Sequence, residues 1–208
     1  MKRITLRLII ALLTFLIGVT LVTFWIVKRQ RPSQTSKTSP GCIPVFDPKF
    51  YSGQENGWGA VVLARFHEMP LENFPSCVDE SYRLIWIPTF HSPVAARIWR
   101  SGDKRFLVAK QLDGKGGYGM GNLALEEARS ITEDEWLTFI RLLDQASYWE
   151  MPSIDAAPPP NDGAAWVIEG AKERKYHNVN RHTPSIEFRA SCAYLLKLSG
   201  IKTEYERY

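Results

Sequence analysis

One segment near the amino terminus constrains this chain more than any other. Residues 8–27 form a run of 20 residues without a charged side chain. Its only polar members are three threonines, whose hydroxyls can bond back to helix carbonyls. At 1.5 Å per residue, a helix of this length spans about 30 Å, the thickness of the hydrocarbon core of a bilayer. Because the run is apolar on every face, it predicts a transmembrane helix over 8–27 and not a buried helix of a soluble protein.

The basic residues are concentrated beside this run. Residues 1–40 hold seven Lys or Arg and no Asp or Glu, so they carry +7, whereas residues 41–208 carry a net −3. The pI of about 9.0 therefore describes the flanks of a membrane segment, where cations face anionic headgroups. The remainder lacks the clustered Lys and Arg that displace counterions from phosphates. We expect membrane lipid as a partner, through residues 8–27, and no nucleic acid.

Two alternatives remain for the cleavage of the apolar segment and two for its orientation in the membrane. The run ends in bulky residues at 23–27, which favours an uncleaved anchor, whereas a cleavable signal peptide usually has a shorter run and a small-x-small site. The flanking cations number three in 1–7 and four in 28–37, which leans towards a cytoplasmic C-terminal part. The short basic N-tail favours a cytoplasmic N-terminus and an extracytoplasmic C-terminal domain. We expect the second arrangement, in a single-pass membrane protein.

Composition divides the chain into four parts. Residues 1–7 are a basic N-tail, and 8–27 are the predicted transmembrane helix. Residues 28–41 are polar and contain Ser, Thr and Pro, so they cannot bury apolar surface and predict a flexible stalk. Residues 42–208 are long enough for one domain, whose regular part is predicted at about 80–201.

Beyond the stalk, aromatic and β-branched residues predict an antiparallel meander. Its strands are separated by turn residues around Pro93 and Gly102, and they cover 83–90, 94–100 and 105–112. Two other segments are ambiguous: 123–129 fits a fourth strand or the start of a helix, and 59–67 fits a short helix or a strand.

Start and stop signals place two helices after the meander. Thr132 and Glu135 have the spacing of a capping box, and the apolar residues that follow have helical spacing up to about Tyr148. Thr183 is the predicted N-cap of the second helix, Pro184 its first residue, and it stops before the glycine at 200. Between the helices, 164–170 and 175–181 predict a hairpin around a loop at 171–174. This order predicts an α+β fold, an antiparallel sheet (meander plus hairpin) with two helices packed on one face, preceded by one transmembrane helix.

Three cysteines bear on the cellular compartment. Cys192 falls among apolar residues of the second predicted helix, as a small core residue does. Cys42 and Cys77 lie in loop-like sequence that contains Pro. They either form a disulfide, which fits an oxidising compartment, or remain unpaired thiols. No Cys and His spacing resembles a zinc site, so we expect no metal and no cofactor.

A glycine-rich segment at 114–119 literally matches the G-x-G-x-x-G pattern of dinucleotide-binding loops. That fold needs a helix to open directly after the glycines, so that its N-terminal amides face the pyrophosphate. Here the next predicted helix begins at Thr132, and the preceding strand carries charged residues, unlike a buried parallel strand. We therefore predict a flexible loop between strands at this position and no nucleotide site.

Chemistry-bearing residues gather around the predicted hairpin. Glu169, His177 and Arg181 could form a pocket for acid–base chemistry or for an anion. With a four-residue loop, however, His177 lies opposite Ile168 on one face and Glu169 points to the other, an arrangement that a one-residue shift would reverse. A small hydrolase-like enzyme using His177 with Glu169 or Asp162 is thus the alternative function, and no catalytic residue is assigned for the favoured one.

Two motifs in this part of the chain are DGxxWxxEG at 162–170 and YHxVxRxxP at 176–184. They resemble a group of uncharacterised bacterial membrane-anchored proteins, and FHxP at 90–93 and YWxxP at 148–152 are similar as well. The resemblance covers about residues 77–200 and implies that the apolar segment and the stalk are appendages of the domain. It carries no activity, but it favours His91, Glu169, His177 and Arg181 as candidate binding residues.

These features together favour a membrane-anchored extracytoplasmic domain. We expect a binding or envelope-accessory module, with a protein partner whose identity the sequence does not specify.

Overall fold

The computed structural model describes residues 58–73, 77–155, 160 and 162–208. Among these residues there are three α-helices, six β-strands and three short 3₁₀ turns. The helices are α1 (Trp58–Arg65), α2 (Glu133–Gln145) and α3 (Ile186–Ser199), and the 3₁₀ turns are Leu71–Asn73, Tyr148–Glu150 and Tyr205–Arg207. The strands are β1 (Glu80–Pro88), β2 (Val94–Ser101), β3 (Lys104–Leu112), β4 (Leu123–Ser130), β5 (Ala164–Lys172) and β6 (Lys175–Arg181).

All six strands belong to one antiparallel sheet in the order β4-β3-β2-β1-β5-β6. Strands β1 to β4 form the predicted meander, and the segment that fitted either a strand or a helix is strand β4. Strand β5 returns beside β1, with Arg83 opposite Glu169, and β6 pairs with β5 as a hairpin. The α+β fold and the antiparallel sheet are therefore confirmed.

One face of the sheet carries the larger core. Because side chains alternate along a strand, Tyr82, Leu84 and Trp86 of β1 point to the face that α2 and α3 cover. Trp136 and Phe139 of α2 are buried against these strands. The partners from α3 have helical spacing and are Phe188, Cys192, Leu195 and Leu196. The two predicted helices thus pack on one face, as expected.

The opposite face carries a third helix, which the predicted arrangement lacks. The segment that fitted a short helix or a strand is helix α1. Val62, Leu63 and Phe66, which lie on one side of a helix at this spacing, pack on apolar residues of the sheet that include Ile85 and Val167. The sheet is therefore covered on both faces.

Helix α2 begins at the predicted capping box. The Thr132 hydroxyl accepts a hydrogen bond from the Glu135 amide at 3.1 Å, and the Glu135 carboxylate accepts one from the Thr132 amide at 2.7 Å. A hydrogen bond from Arg129 lowers the pKa of Glu135, and the Thr132 amide adds to this. The first turn of a helix leaves backbone amides without intrahelical partners. The capping box supplies hydrogen-bond acceptors at this end of α2, as predicted.

Helix α3 begins later than predicted. Its N-cap is Ser185, whose hydroxyl accepts from the Phe188 amide at 3.3 Å. Thr183 and Pro184 therefore lie before the helix, because the serine hydroxyl two residues on captures the first free amide. The predicted end is confirmed: Gly200 has φ 73°, a left-handed conformation that glycine adopts without strain.

The β5–β6 hairpin has a tighter turn than predicted. Only Glu173 and Arg174 form the turn, both at positive φ (50° and 63°), as a two-residue hairpin of the primed type requires. Gly170 consequently pairs with His177, so the predicted pairing of His177 with Ile168 was wrong by two residues. A shift of two preserves the face of every side chain, and Glu169 and His177 lie on opposite faces as expected.

The predicted transmembrane helix, the stalk and Cys42 lie outside the described residues. Among the residues that are described, no helix has the length and apolar character needed to cross a bilayer. Cys192 is a buried free thiol in α3, and burial raises its pKa. Cys77 is disulfide-bonded. Its pairing with Cys42 stays a prediction, because Cys42 lies outside the described residues.

Candidate functional site

A cleft of about 720 Å³ opens where β1 ends and β5 begins. We call it the His91 cleft. It is lined by four parts of the chain that are far apart in sequence, namely Phe90 and His91, residues 160 and 162–164, His182 to Pro184 with Arg189, and Arg207 with Tyr208. Three of the sequence motifs, FHxP, DGxxWxxEG and YHxVxRxxP, therefore each contribute residues to this one cleft.

Two hydrogen bonds between Thr89 and Gly163 join the chain beyond β1 to the chain before β5, beside the cleft. The Thr89 amide donates to the Gly163 carbonyl at 2.8 Å, and the Gly163 amide donates to the Thr89 hydroxyl at 3.1 Å. These bonds extend the β1–β5 ladder by one pair beyond Pro88. They fix His91 and Asp162 on the same rim of the sheet.

The glycine-rich segment packs beside this rim. The Gly116 amide donates to the His91 carbonyl at 3.2 Å, and the Gly117 amide donates to the Thr89 carbonyl at 3.0 Å. A Cβ atom at Gly116 would lie 2.4 Å from the Pro88 carbonyl oxygen, so only glycine allows this approach. The predicted loop between strands is present, and its glycines serve backbone packing. It brings Tyr118 to 6.0 Å from Phe90, ring centroid to ring centroid, with both rings exposed.

His91 is held at both ring nitrogens. Nδ1 lies 2.6 Å from the Tyr208 hydroxyl, and Nε2 lies 3.4 Å from the Glu204 carboxylate. The Tyr208 ring also packs edge-on against Trp86 at 5.7 Å. These contacts fix the imidazole plane and tie residues 204–208 to the end of β1.

The two arginines of the cleft already have partners. Arg189 donates to the carbonyls of Tyr205 and Glu206 at 3.2 and 3.4 Å, and its guanidinium lies over the Trp166 ring at 5.6 Å. Arg207 pairs with a Glu204 carboxylate oxygen at 2.8 Å. Arg189 is therefore engaged by the segment 205–206, whereas Arg207, whose side chain is 71% exposed, is held only by a surface ion pair.

Other polar groups of the cleft are open. Asp162 and Thr183 are exposed and His182 is half-buried. None of these three side chains has a hydrogen bond or ion pair with another described residue. They present a carboxylate, a hydroxyl and an imidazole to the cleft. Together these three groups can donate and accept hydrogen bonds.

Glu169 lies elsewhere, in a buried group of charges on the α1 face. We call this group, Glu68, Arg83, Arg97, Lys110 and Glu169, the Glu68 cluster. The Glu68 carboxylate lies 3.1 Å from Arg83, 2.8 Å from Arg97 and 2.8 Å from Lys110. Arg83 Nε donates to Oε2 of Glu169 at 2.7 Å, and the Tyr176 hydroxyl donates to Oε1 of Glu169 at 2.8 Å.

The Glu68 cluster holds the chain after α1 onto the sheet. Burial raises the pKa of Glu68, but the attraction of Arg97, Arg83 and Lys110 outweighs it and lowers this pKa to about 2. Arg83 also donates to the Met69 carbonyl at 2.6 Å, and Lys110 donates to the His67 carbonyl at 2.8 Å. The cluster thus binds both side chain and backbone of the segment 67–69, and Glu169 is committed to it.

The remaining candidates lie on the face covered by α2 and α3. The His177 ring packs against Tyr148 at 5.1 Å and Trp149 at 6.0 Å. Arg181 donates to the carbonyls of Pro152 and Asn180. His177 and Glu169 are on opposite faces, and Asp162 precedes the other end of β5. The structure therefore does not bring the four candidate binding residues together, and neither carboxylate of the hydrolase alternative converges with His177.

No cluster of three or more His, Cys, Asp or Glu side chains suited to a metal ion occurs in the described part of the chain. In comparisons with known proteins, no protein-family model matches the sequence, and no curated protein matches it either.

Proposed function

We propose that this chain is a membrane-anchored, extracytoplasmic binding module whose ligand occupies the His91 cleft. The observation that carries the proposal is the meeting of four distant chain segments around a cleft of about 720 Å³ with open polar side chains. Pockets of this size, lined by apolar walls and a few convergent polar groups, are the usual form of small-ligand sites.

The ligand that fits best is rich in hydroxyl groups, such as a short glycan. Asp162, Thr183 and His182 offer both acceptors and donors, and the open carboxylate of Asp162 disfavours an anionic ligand. Phe90 lines the cleft, and the Tyr118 ring lies 6.0 Å from it. Both rings are exposed and can pack on the apolar face of a sugar ring.

The proposed anchoring in the membrane and the proposed extracytoplasmic location each rest on one feature. The uncharged run at 8–27 with basic flanks has the length of a bilayer span. The disulfide at Cys77 fits a compartment where thiols are oxidised. We propose Cys42 as its partner, since Cys192 is a free thiol.

Ligand binding can be tested with the full chain in lipid nanodiscs. The probe is the tetramer of N-acetylglucosamine, observed by saturation-transfer NMR. We expect transfer to the sugar ring protons, and its loss in Asp162→Ala and His182→Ala. Asp103→Ala is the matched control, because this exposed aspartate lies in the β2–β3 turn, beyond the end of β2 that is remote from the cleft. Equal transfer in all variants, or binding of inorganic phosphate instead, would contradict the proposed site.

Topology can be tested separately. An alkaline phosphatase fused after Tyr208 is active only when it is exported, and a cytoplasmic fluorescent protein serves as the opposite reporter. We expect phosphatase activity and, on non-reducing peptide mapping, a fragment in which Cys42 is linked to Cys77. A fluorescent and phosphatase-negative chain would place the domain in the cytoplasm.

A further inference from the structure

Strand β6 lies at the end of the sheet, and among the described residues its outer edge is unpaired over most of its length. In an antiparallel ladder the backbone groups of successive residues point alternately to the two neighbouring strands. The Asn180 amide donates away from β5, to the Ser153 carbonyl at 2.9 Å. Asn178 and Tyr176, two and four residues earlier, therefore also direct their amides and carbonyls outward, and no described backbone group pairs with them.

A second cavity of about 390 Å³ adjoins this edge on the α1 face. Its apolar wall includes Leu63, Val167 and Ile154, and Ile154 is 78% exposed. The side chains of Asn178 and Asn180 form its edge side. The buried Oδ1 atom of Asn180 accepts no hydrogen bond from the described residues, although a buried acceptor without a partner is costly.

The other face of the same edge is basic. Lys172 and Lys175 flank the turn, whose two residues Glu173 and Arg174 carry opposite charges, and Lys172 lies over the Trp149 ring at 5.0 Å. No ion pair engages these three cations among the described residues. They can attract carboxylates on a neighbouring strand.

We propose that the β6 edge binds an extended peptide segment of a partner protein, in which apolar and acidic residues alternate. The peptide adds a seventh strand through the backbone groups of Tyr176 and Asn178. Because its side chains alternate between faces, its apolar residues enter the cavity beside Ile154 while its carboxylates face Lys172 and Lys175.

A second copy of this chain fits the edge poorly. Two β6 strands paired about a twofold axis at Asn178 would place Lys175 opposite Arg181 of the other copy, and like charges directly opposite destabilise a strand pair. Ser153, which already occupies the Asn180 end of the edge, would obstruct the same pairing. The charges therefore select an acidic strand.

The test uses the full chain in nanodiscs and a fluorescein-labelled peptide, Ser-Val-Glu-Val-Glu-Val-Ser, followed by fluorescence anisotropy. Asn178→Pro removes one outward amide and leaves the β5–β6 ladder intact, since that amide points away from β5. We expect Asn178→Pro to weaken binding by about tenfold or more, and Asn178→Ala, which keeps the backbone donor, to stay within about threefold of the parent.

A second comparison uses charge reversal at the two lysines, so its result does not depend on whether the proline variant folds. Lys172→Glu with Lys175→Glu should weaken binding of the acidic peptide and permit binding of a peptide with Lys in place of Glu. Asp162→Ala should leave peptide binding unchanged, which separates this edge from the His91 cleft. Equal binding by all edge variants, absence of binding by the parent chain, or a concentration-dependent dimer that Asn178→Pro abolishes would overturn the proposal.

Discussion

The Lys110 ammonium lies 2.8 Å from the Glu68 carboxylate, and both side chains are almost completely buried. Lys110 projects from β3, whereas Glu68 follows α1. Because two cations from β1 and β2 approach the same carboxylate, this one glutamate joins three strands to the segment after α1. Its removal would leave buried cations without their shared partner.

Glu68→Gln should therefore destabilise the fold strongly. Breaking a buried ion pair on one side costs about 3–5 kcal/mol, and we expect a loss in this range in the free energy of unfolding, measured by urea denaturation of the full chain. Glu72→Gln is the matched control, because Glu72 is exposed, and it should change stability by less than about 0.5 kcal/mol. Equal effects of the two changes would show that the cluster contributes little.

The same carboxylate predicts an acid limit for the fold. The pKa of Glu68 is lowered from 4.5 to about 2, so the folded state binds this proton more weakly than the unfolded state. The stabilisation is complete above pH 4.5 and is lost as the pH falls from 4.5 towards 2. Urea titrations across this range should show a fall on the order of 3 kcal/mol, and the fall should shrink in Glu68→Gln. An identical acid dependence in the variant would contradict this assignment.

Gly116 and Gly59 form a matched pair for the packing of the glycine-rich loop. Alanine at 116 would place its Cβ against the Pro88 carbonyl, whereas alanine at 59 meets nothing within 4 Å. Gly116→Ala should cost about 1–3 kcal/mol and shift the NMR signals of Phe90 and His91. Gly59→Ala, in helix α1, should stabilise by up to about 1 kcal/mol. Unchanged signals around His91 in Gly116→Ala would argue against the described contact.

The β5–β6 turn offers a stabilising change. Arg174 has φ 63°, a conformation that glycine adopts without the steric cost borne by other residues. Arg174→Gly should raise the melting temperature, with a gain of about 0.5–1 kcal/mol. Arg174→Val, which is β-branched and disfavoured at positive φ, should lower it, and a reversed order would show that the turn does not have this conformation.

The sheet and two helices were predictable because their signals are local. The capping box at Thr132 and the glycine at 200 act over a few residues, so sequence spacing specifies them. The hairpin register was not predictable, because Glu173 and Arg174 occupy positions where Asn-Gly is the usual signal. The packing of helix α1 on the second face depends on tertiary contacts with the sheet, so it could not be inferred from local sequence signals.

The sequence contains a pattern from which part of the Glu68 cluster could have been predicted. Arg83 and Arg97 are each flanked by apolar residues in strands that are largely buried on both faces, and such charges require a buried partner. The identity of that partner was hidden, since Glu68 lies outside any strand. The His91 cleft was hidden for a different reason, because its walls come from residues up to 118 positions apart.

The place of β5 beside β1 also has a consequence for how the chain acquires its structure. Arg83 and Glu169 are separated by 86 residues, whereas the hairpins on either side close over a few residues. Pairing of such distant strands delays folding, because the entropy cost of closing a long loop must be met before the strand contacts that offset it can form. During synthesis the edge of β1 that receives β5 is therefore complete before its partner strand exists. Until residue 172 has emerged, that apolar edge is open to other chains, and protection of the nascent protein is most needed in this interval.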